Sequence, residues 1–274
     1  MKQTDTILDK IVASQQAALS VVKHERPLKE LERELEVLHT LKDSNFYAVL
    51  KAEQPEHKII AEIKQASPSA GTLRPTFDLA AINEAYQAAA NIVAISVITE
   101  PEHFQGSEES LEFVARHNDH DKPLLRKDFI FDPYQVLESK LLGAQAFLLI
   151  ASLFDGGELS SLVDLGLSIG LEPLVEVHTQ QELAMVLTTK ARCIGVNARN
   201  LHDFSTDVAT HELLRQLDNS YVKVAESAID SADYLSYLST FTDAALIGSH
   251  FMKTDDISVA INSLINPKNR GQQP

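Results

Sequence analysis

The sequence predicts an α/β protein, a closed (β/α)8 TIM barrel with an N-terminal helical extension. Three observations carry this. From residue 58 onward, short apolar runs rich in β-branched residues alternate with longer amphipathic runs. The alternation repeats eight times, and no stretch rich in Gly, Ser or Pro interrupts it to mark a second domain. Strands that alternate with helices imply a parallel sheet, and eight such units in one chain fit a closed barrel better than an open sheet. The expected organisation is one barrel domain over 1–274, of which 1–50 form the extension.

Residues 6–50 read as helices. Ile7, Leu8, Ile11, Val12 and Leu19 recur at roughly helical spacing. A second run, PLKELERELEVLHTL, opens on Pro27, which suits a first helical turn, and repeats Leu28, Leu31, Leu35 and Leu38 at threes and fours. The strand segments follow as KIIAEI (58–63), IVAISVI (92–98), PLLRKD (123–128), AFLLIA (146–151), EPLVEV (172–177), CIGVN (193–197), VKVAES (222–227) and AALIG (244–248). Helices are expected between and after them, over 78–90, 107–118, 133–143, 156–169, 179–190, 206–216, 230–240 and 255–265. The stretch 64–77, containing SPSAGTLRP, is long enough to form a mobile lid.

Composition narrows the class. The net charge is −15, from 24 Lys+Arg against 39 Asp+Glu. That opposes general nucleic-acid binding, which needs a basic surface, and docking on an anionic membrane. It leaves an anionic small molecule open, because local charge decides that case. The single cysteine, Cys193, rules out an intrachain disulfide and is expected as a small core residue. No signal peptide or membrane span is apparent, so a cytoplasmic protein is expected, and a monomer. No set of His and carboxylates has metal-ligand spacing, and no dinucleotide fingerprint or P-loop occurs.

The strand ends carry the chemistry in such a barrel. Residues two apart share a strand face, so Ile60, Glu62 and Lys64 point inward while Ile59, Ala61 and Ile63 pack outward against helices. Arg126-Lys127-Asp128 ends the third strand, Glu176 lies between two valines on the fifth, and Asn197 ends the sixth with Arg199 two residues on. Glu226-Ser227 ends the seventh, and Gly248-Ser249 lies at the mouth of the eighth. Small residues after the seventh and eighth strands suit a phosphate, which needs close approach to backbone N–H groups. Singly, each has a bland explanation: a charged residue near a strand end is usually a surface or ion-pair residue, and Gly-Ser is usually a turn. Together they place ionisable or amide groups on at least five strand ends, all on the side where this fold does chemistry.

These residues lie in segments that resemble the indole-3-glycerol phosphate synthase family. The resemblance rests on EIKQASPSAG (62–71), AISVITEPEHFQGS (94–107), PLLRKDFIFDPYQV (123–136), LEPLVEVHTQQEL (171–183), IGVNARNL (194–201), VAESAI (224–229) and LIGSHFM (246–252), in that order. It implies closure of the pyrrole ring of 1-(2-carboxyphenylamino)-1-deoxyribulose 5-phosphate with loss of carbon dioxide and water, with no cofactor or metal. It further implies Lys127 as the general acid, Glu176 as a partner for cationic intermediates, and Glu62 with Lys64 for later proton transfers. Asn197 and Arg199 would orient the substrate, with Ser67 and Arg199 near its carboxylate and Phe129 as a wall for its ring. Glu226 would be the charge partner of a lysine, and Ser227, Gly248 and Ser249 the phosphate cradle. A dry pocket with neighbouring cations is expected to lower the Lys127 pKa.

The chain departs from the family pattern at Gln65, Ala70, His103, Ala198 and Ala228. Ala228 stands where the resemblance implies glycine. A positive φ there would strain the site, whereas a negative φ would let alanine fit. Two alternatives follow: a non-catalytic or weakened barrel that binds a phosphorylated metabolite or a protein partner, and a related barrel such as phosphoribosylanthranilate isomerase. The second is opposed by the N-terminal extension and by the position of Cys193 on the sixth strand. An exposed apolar patch on 6–50 would favour the partner-binding reading.

Overall fold

Apolar residues fill both faces of the strand segments, which therefore need cover on both sides. The computed structural model supplies it, and describes every residue except 3, 5, 38–43, 69, 201–202 and 266–274. The strands are β1 (Ile59–Ile63), the hairpin pair β2 (Ala66–Ser67) and β3 (Gly71–Thr72), β4 (Ile92–Ile98), β5 (Leu124–Lys127), β6 (Ala146–Ile150), β7 (Glu172–Val177), β8 (Cys193–Asn197), β9 (Val222–Glu226) and β10 (Ala244–Ile247). All but the hairpin are parallel and close in the order β1-β10-β9-β8-β7-β6-β5-β4. The eight expected strands are thus the eight barrel strands.

The outer layer is α4 (Leu79–Ala88), α5 (Glu108–Arg116), α6 (Pro133–Leu141), α7 (Gly156–Ser168), α8 (Gln180–Val186), α9 (Ala232–Leu238), α10 (Ser249–Met252) and α11 (Ile257–Ile265). Side-chain caps start many of these helices. Asp132 and Asp155 each form a capping box, and Asp78, Ser107, Thr179 and Ser231 each accept a backbone N–H. One expected helix differs: Val208–Gln216 is a 3-10 helix. Three features have no counterpart in the sequence pattern: the β2–β3 hairpin inside 64–77, the short 3-10 helix Ala151–Leu153 after β6, and the one-turn α10 directly after β10. Arg74, beyond the hairpin, donates to the carbonyls of Thr254 and Asp255 at 2.7 and 3.0 Å.

The extension forms α1 (Ile7–Glu25), α2 (Leu28–Val37) and α3 (Phe46–Lys51). Leu8, Ile11 and Val12 bury one stripe of α1. Polar ties fasten the same helix over the mouth: Gln15 donates to Asp128 at 2.8 Å, Ser14 to Glu102 at 2.5 Å, and Lys23 to Asp132 at 2.6 Å. In α2, Leu31 packs with Tyr134 and Leu137 of α6. The expected repeat at Leu38 lies outside the described residues. The first helices therefore bury Leu8, Ile11, Val12 and Leu31, while Val21, Val22, Leu28 and Val37 stay exposed. No helix among the described residues is long and apolar enough to cross a membrane.

Candidate active site

At the C-terminal end of the barrel the inward residues form a ring. The register sets Glu62 beside Ser96, Ile98 beside Lys127, Glu176 beside Gly195, and Asn197 beside Glu226. Above them opens a cavity of about 490 Å³. Every sequence-predicted site residue lines it: Lys127, Glu176, Glu62, Lys64, Asn197, Ser67, Phe129, Arg199, Glu226, Ser227, Gly248 and Ser249.

The centre of the site is Lys127. Its Nζ lies 3.0 Å from Glu176 Oε2 and 3.6 Å from Glu226 Oε2. Asn197 donates from Nδ2 to the other Glu176 oxygen at 3.0 Å and accepts the Arg199 N–H at 2.9 Å. Beside this group, Lys64 Nζ lies 2.5 Å from Glu62 Oε2. Three glutamates and two part-buried lysines thus share one mouth, because parallel strands end there together. Two glycines make room for them. A Cβ on Gly195 would stand 2.0 Å from Glu226 Oε1, and one on Gly248 would stand 2.3 Å from Glu62 Oε2.

The electrostatics correct one expectation. Burial alone lowers the Lys127 pKa, but the carboxylates of Glu176, Glu226 and Glu62 outweigh it and hold the ammonium well above its ordinary range. The neighbours of Lys127 are anions rather than cations. Burial likewise pushes the Glu176 carboxyl up, yet Lys127, His178 and Asn197 together hold it down at about 2. Glu226 goes the other way. Burial and the Glu176 charge raise it well above the carboxylate range, more than Lys127 lowers it. The shared lysine thus favours the ionised form of Glu176 more than that of Glu226.

The aromatic wall is wider than Phe129. Phe104 packs against it with ring centroids 6.0 Å apart, and Leu8 and Ile11 of α1 also line the cavity. Phe104 sits in the loop after β4, whose amides are gathered by the buried Glu100: the N–H groups of His103 and Phe104 donate to it at 2.7 and 2.8 Å. The signal for both lies in ITEPEHF, but the roles of Glu100 and Phe104 depend on loop conformation. Cys193 opens β8 at the opposite end, buried, with Sγ 3.6 Å from Glu172, far down the barrel from the mouth. Among the described residues no group of three or more His, Cys, Asp or Glu is arranged to hold a metal.

Beyond β9 the chain takes a rare path: Ser227 and Ala228 have φ of 68° and 55°. Of the two conformations left open for Ala228, the positive one is realised. These residues, with Gly248 and Ser249 after the adjacent β10, edge the cavity where the sequence leads one to expect a phosphate.

A closed parallel barrel with a buried Lys/Glu set at its C-terminal mouth defines a (β/α)8-barrel enzyme. The comparisons with known proteins narrow this. The family model described as indole-3-glycerol phosphate synthase matches residues 8–264. The indole-3-glycerol phosphate synthase of Campylobacter jejuni subsp. doylei is 40% identical over 261 residues, 94% of this chain and 100% of that protein. That of a Thermoanaerobacter species is 40% identical over 254 residues, 92% and 94% of the two chains. The chain belongs to the indole-3-glycerol phosphate synthase family. Among solved structures, KGPDC from Streptococcus mutans superposes with a TM-score of 0.59 at 12% identity, over 77% of this chain and 96% of that one. Thiamine phosphate pyrophosphorylase from Pyrococcus furiosus gives 0.56 at 15% identity, over 76% and 94%. These two likenesses concern the fold.

Proposed function

We propose that this protein is an indole-3-glycerol phosphate synthase, a carbon–carbon lyase of the carboxy-lyase type in tryptophan biosynthesis. It takes 1-(2-carboxyphenylamino)-1-deoxyribulose 5-phosphate, closes the pyrrole ring, and releases carbon dioxide and water. The observation that carries the reading is the Lys127 ammonium held 3.0 Å from Glu176 and 3.6 Å from Glu226 inside the cavity.

The roles follow from the charges. Lys127 is protonated and faces the ribulose carbonyl. As the aromatic carbon attacks, negative charge develops on that oxygen, and Lys127 stabilises it and supplies the proton. Its raised pKa does not oppose this, because a developing alkoxide is a far stronger base than an amine. Glu176, ionised, stabilises the positive charge that spreads from the anilino nitrogen. Loss of carbon dioxide then restores the aromatic ring. The ring hydroxyl leaves as water, for which an acid must donate a proton and a base remove one from carbon. The Glu62–Lys64 pair stands ready for that exchange. Asn197 fixes the Glu176 carboxylate, and Arg199 with Ser67 binds the substrate carboxylate. Phe129 and Phe104 together wall the aromatic ring on one side, and Ser227, Gly248 and Ser249 take the phosphate.

The test is indole fluorescence after mixing protein with the carboxyphenylamino-deoxyribulose phosphate, with Lys127→Met run beside it. A signal that appears in the parent and is lost in the variant supports the reading. No signal in the parent defeats it. Ala228 at positive φ favours a second reading, a barrel that keeps the substrate but has lost turnover; substrate binding without fluorescence would support that one.

A further inference from the structure

We propose that His211 is a positioning residue of the phosphate cradle: by holding the carbonyl of Glu226 it fixes the turn of two left-handed residues, Ser227 and Ala228, that follows β9. The inference rests on the phosphate reading of that turn given above.

The barrel ladder ends at Glu226, whose partners are Asn197 on one side and Leu246 on the other. The side chain of Glu226 is therefore placed by the strand, while the peptide after it has left the strand. Ser227 and Ala228 then adopt φ of 68° and 55°. A non-glycine residue in this region is sterically disfavoured, and such residues normally occur singly. Two in succession persist only when the surroundings over-determine them.

Two hydrogen bonds hold the entry to the turn. The Glu226 carbonyl accepts from the backbone N–H of Ala198 at 3.0 Å and from His211 Nε2 at 2.9 Å. The carbonyl of Glu226 and the N–H of Ser227 belong to one planar peptide, so fixing the first aims the second. His211 is buried, on the 3-10 segment behind the turn. A carbonyl only accepts, so Nε2 carries the ring proton. Burial, opposed by the Glu226 carbonyl and by Glu212, holds the ring pKa below its ordinary value, which leaves one proton on the imidazole. Nδ1 therefore accepts, and Tyr234 Oη stands 2.8 Å from it. Tyr234 Oη also lies 3.2 Å from the Val208 carbonyl, the longer of its two contacts. Tyr234 thus orients the imidazole, and the imidazole orients the peptide. A leucine would fill the same space and leave the peptide with one tether.

The measurement is steady-state turnover of the carboxyphenylamino-deoxyribulose phosphate, with inorganic phosphate as competitive inhibitor. The variants are His211→Leu, His211→Gln and Tyr234→Phe, each in the parent and in an Ala228→Gly background. His211→Leu is expected to raise KM and the phosphate inhibition constant on the order of tenfold, the scale of one buried hydrogen bond, with a much smaller change in kcat. His211→Gln restores most of the loss, because its amide reaches the same carbonyl as a donor. Tyr234→Phe gives a smaller rise. With glycine at 228 the effect of His211→Leu shrinks, because glycine adopts positive φ without help. Unchanged KM and inhibition in His211→Leu would overturn the inference. So would equal losses with alanine and with glycine at 228, which mark a merely structural residue. If His211→Leu does not fold, Tyr234→Phe decides by the same two criteria. A parent enzyme that inorganic phosphate does not inhibit defeats the cradle reading itself, a result distinct from either outcome above.

Discussion

Replacing Lys127 by methionine removes the one cation that sits between two buried glutamates. Glu176, ordinarily near 4.5, is held at about 2 despite its burial, and Lys127 is the largest of the groups that lower it. A drop of that size corresponds to about 3 kcal/mol of differential interaction. Because the folded pKa lies below the unfolded one, this stability is present above about pH 4.5 and is lost as pH falls towards 2. In the variant the carboxyl returns to its ordinary range or above, and that contribution disappears. The variant still folds, but urea unfolding near pH 7 should place it about 3 kcal/mol below the parent. The gap should narrow by roughly 1 kcal/mol by about pH 3.5, where the parent begins to lose what the variant never had. Turnover should fall by about 10²–10⁴-fold, the usual worth of a positioned acid. A stability gap independent of pH from 7 to 3.5 would refute the electrostatic account. Turnover within threefold of the parent would refute the catalytic one.

Gly195→Ala sets a methyl 2.0 Å from Glu226 Oε1, so the Glu226 carboxylate must shift and its 3.6 Å contact with Lys127 is disturbed. Stability should fall by about 1–3 kcal/mol and kcat at least severalfold, read by urea unfolding and indole fluorescence. Gly248→Ala crowds not only the Glu62 carboxylate but also its Cβ, at 2.9 Å, which cannot swing aside, so it should disturb the Glu62–Lys64 pair, lower turnover and cost at least as much stability as Gly195→Ala. Arg126→Met leaves Asp128 and Glu138 buried without the guanidinium that now lies 3.2 and 2.9 Å from them. Thermal unfolding should show a loss of about 3–5 kcal/mol, and a loss below 1 would contradict the reading of Arg126 as their charge partner.

Sequence alone determined the barrel and its mouth. The period-two pattern of β1 put Glu62 on the inner face, and the eight alternations fixed which strand ends meet. From these, the strand-end residues Glu62, Lys64, Lys127, Glu176, Asn197 and Glu226 were legible, because a parallel barrel brings its strand ends to one place whatever the loops do, whereas Ser67 and Phe129 were reached through the family resemblance. What only the tertiary structure decided lies in distances and in loops. The sign of the Lys127 shift turned on which charges are nearest, and Glu176 and Glu226, which stand closest to it, are far away along the chain. Phe104 joined the wall because buried Glu100 gathers the loop that carries it. Val208–Gln216 became a 3-10 helix, and its His211 reached the Glu226 carbonyl. Ala228 took a positive φ that its side chain disfavours and its surroundings impose. Local pattern fixes which face a side chain takes. The protonation of a buried group, and the conformation of a strained turn, depend on neighbours that only the closed barrel supplies.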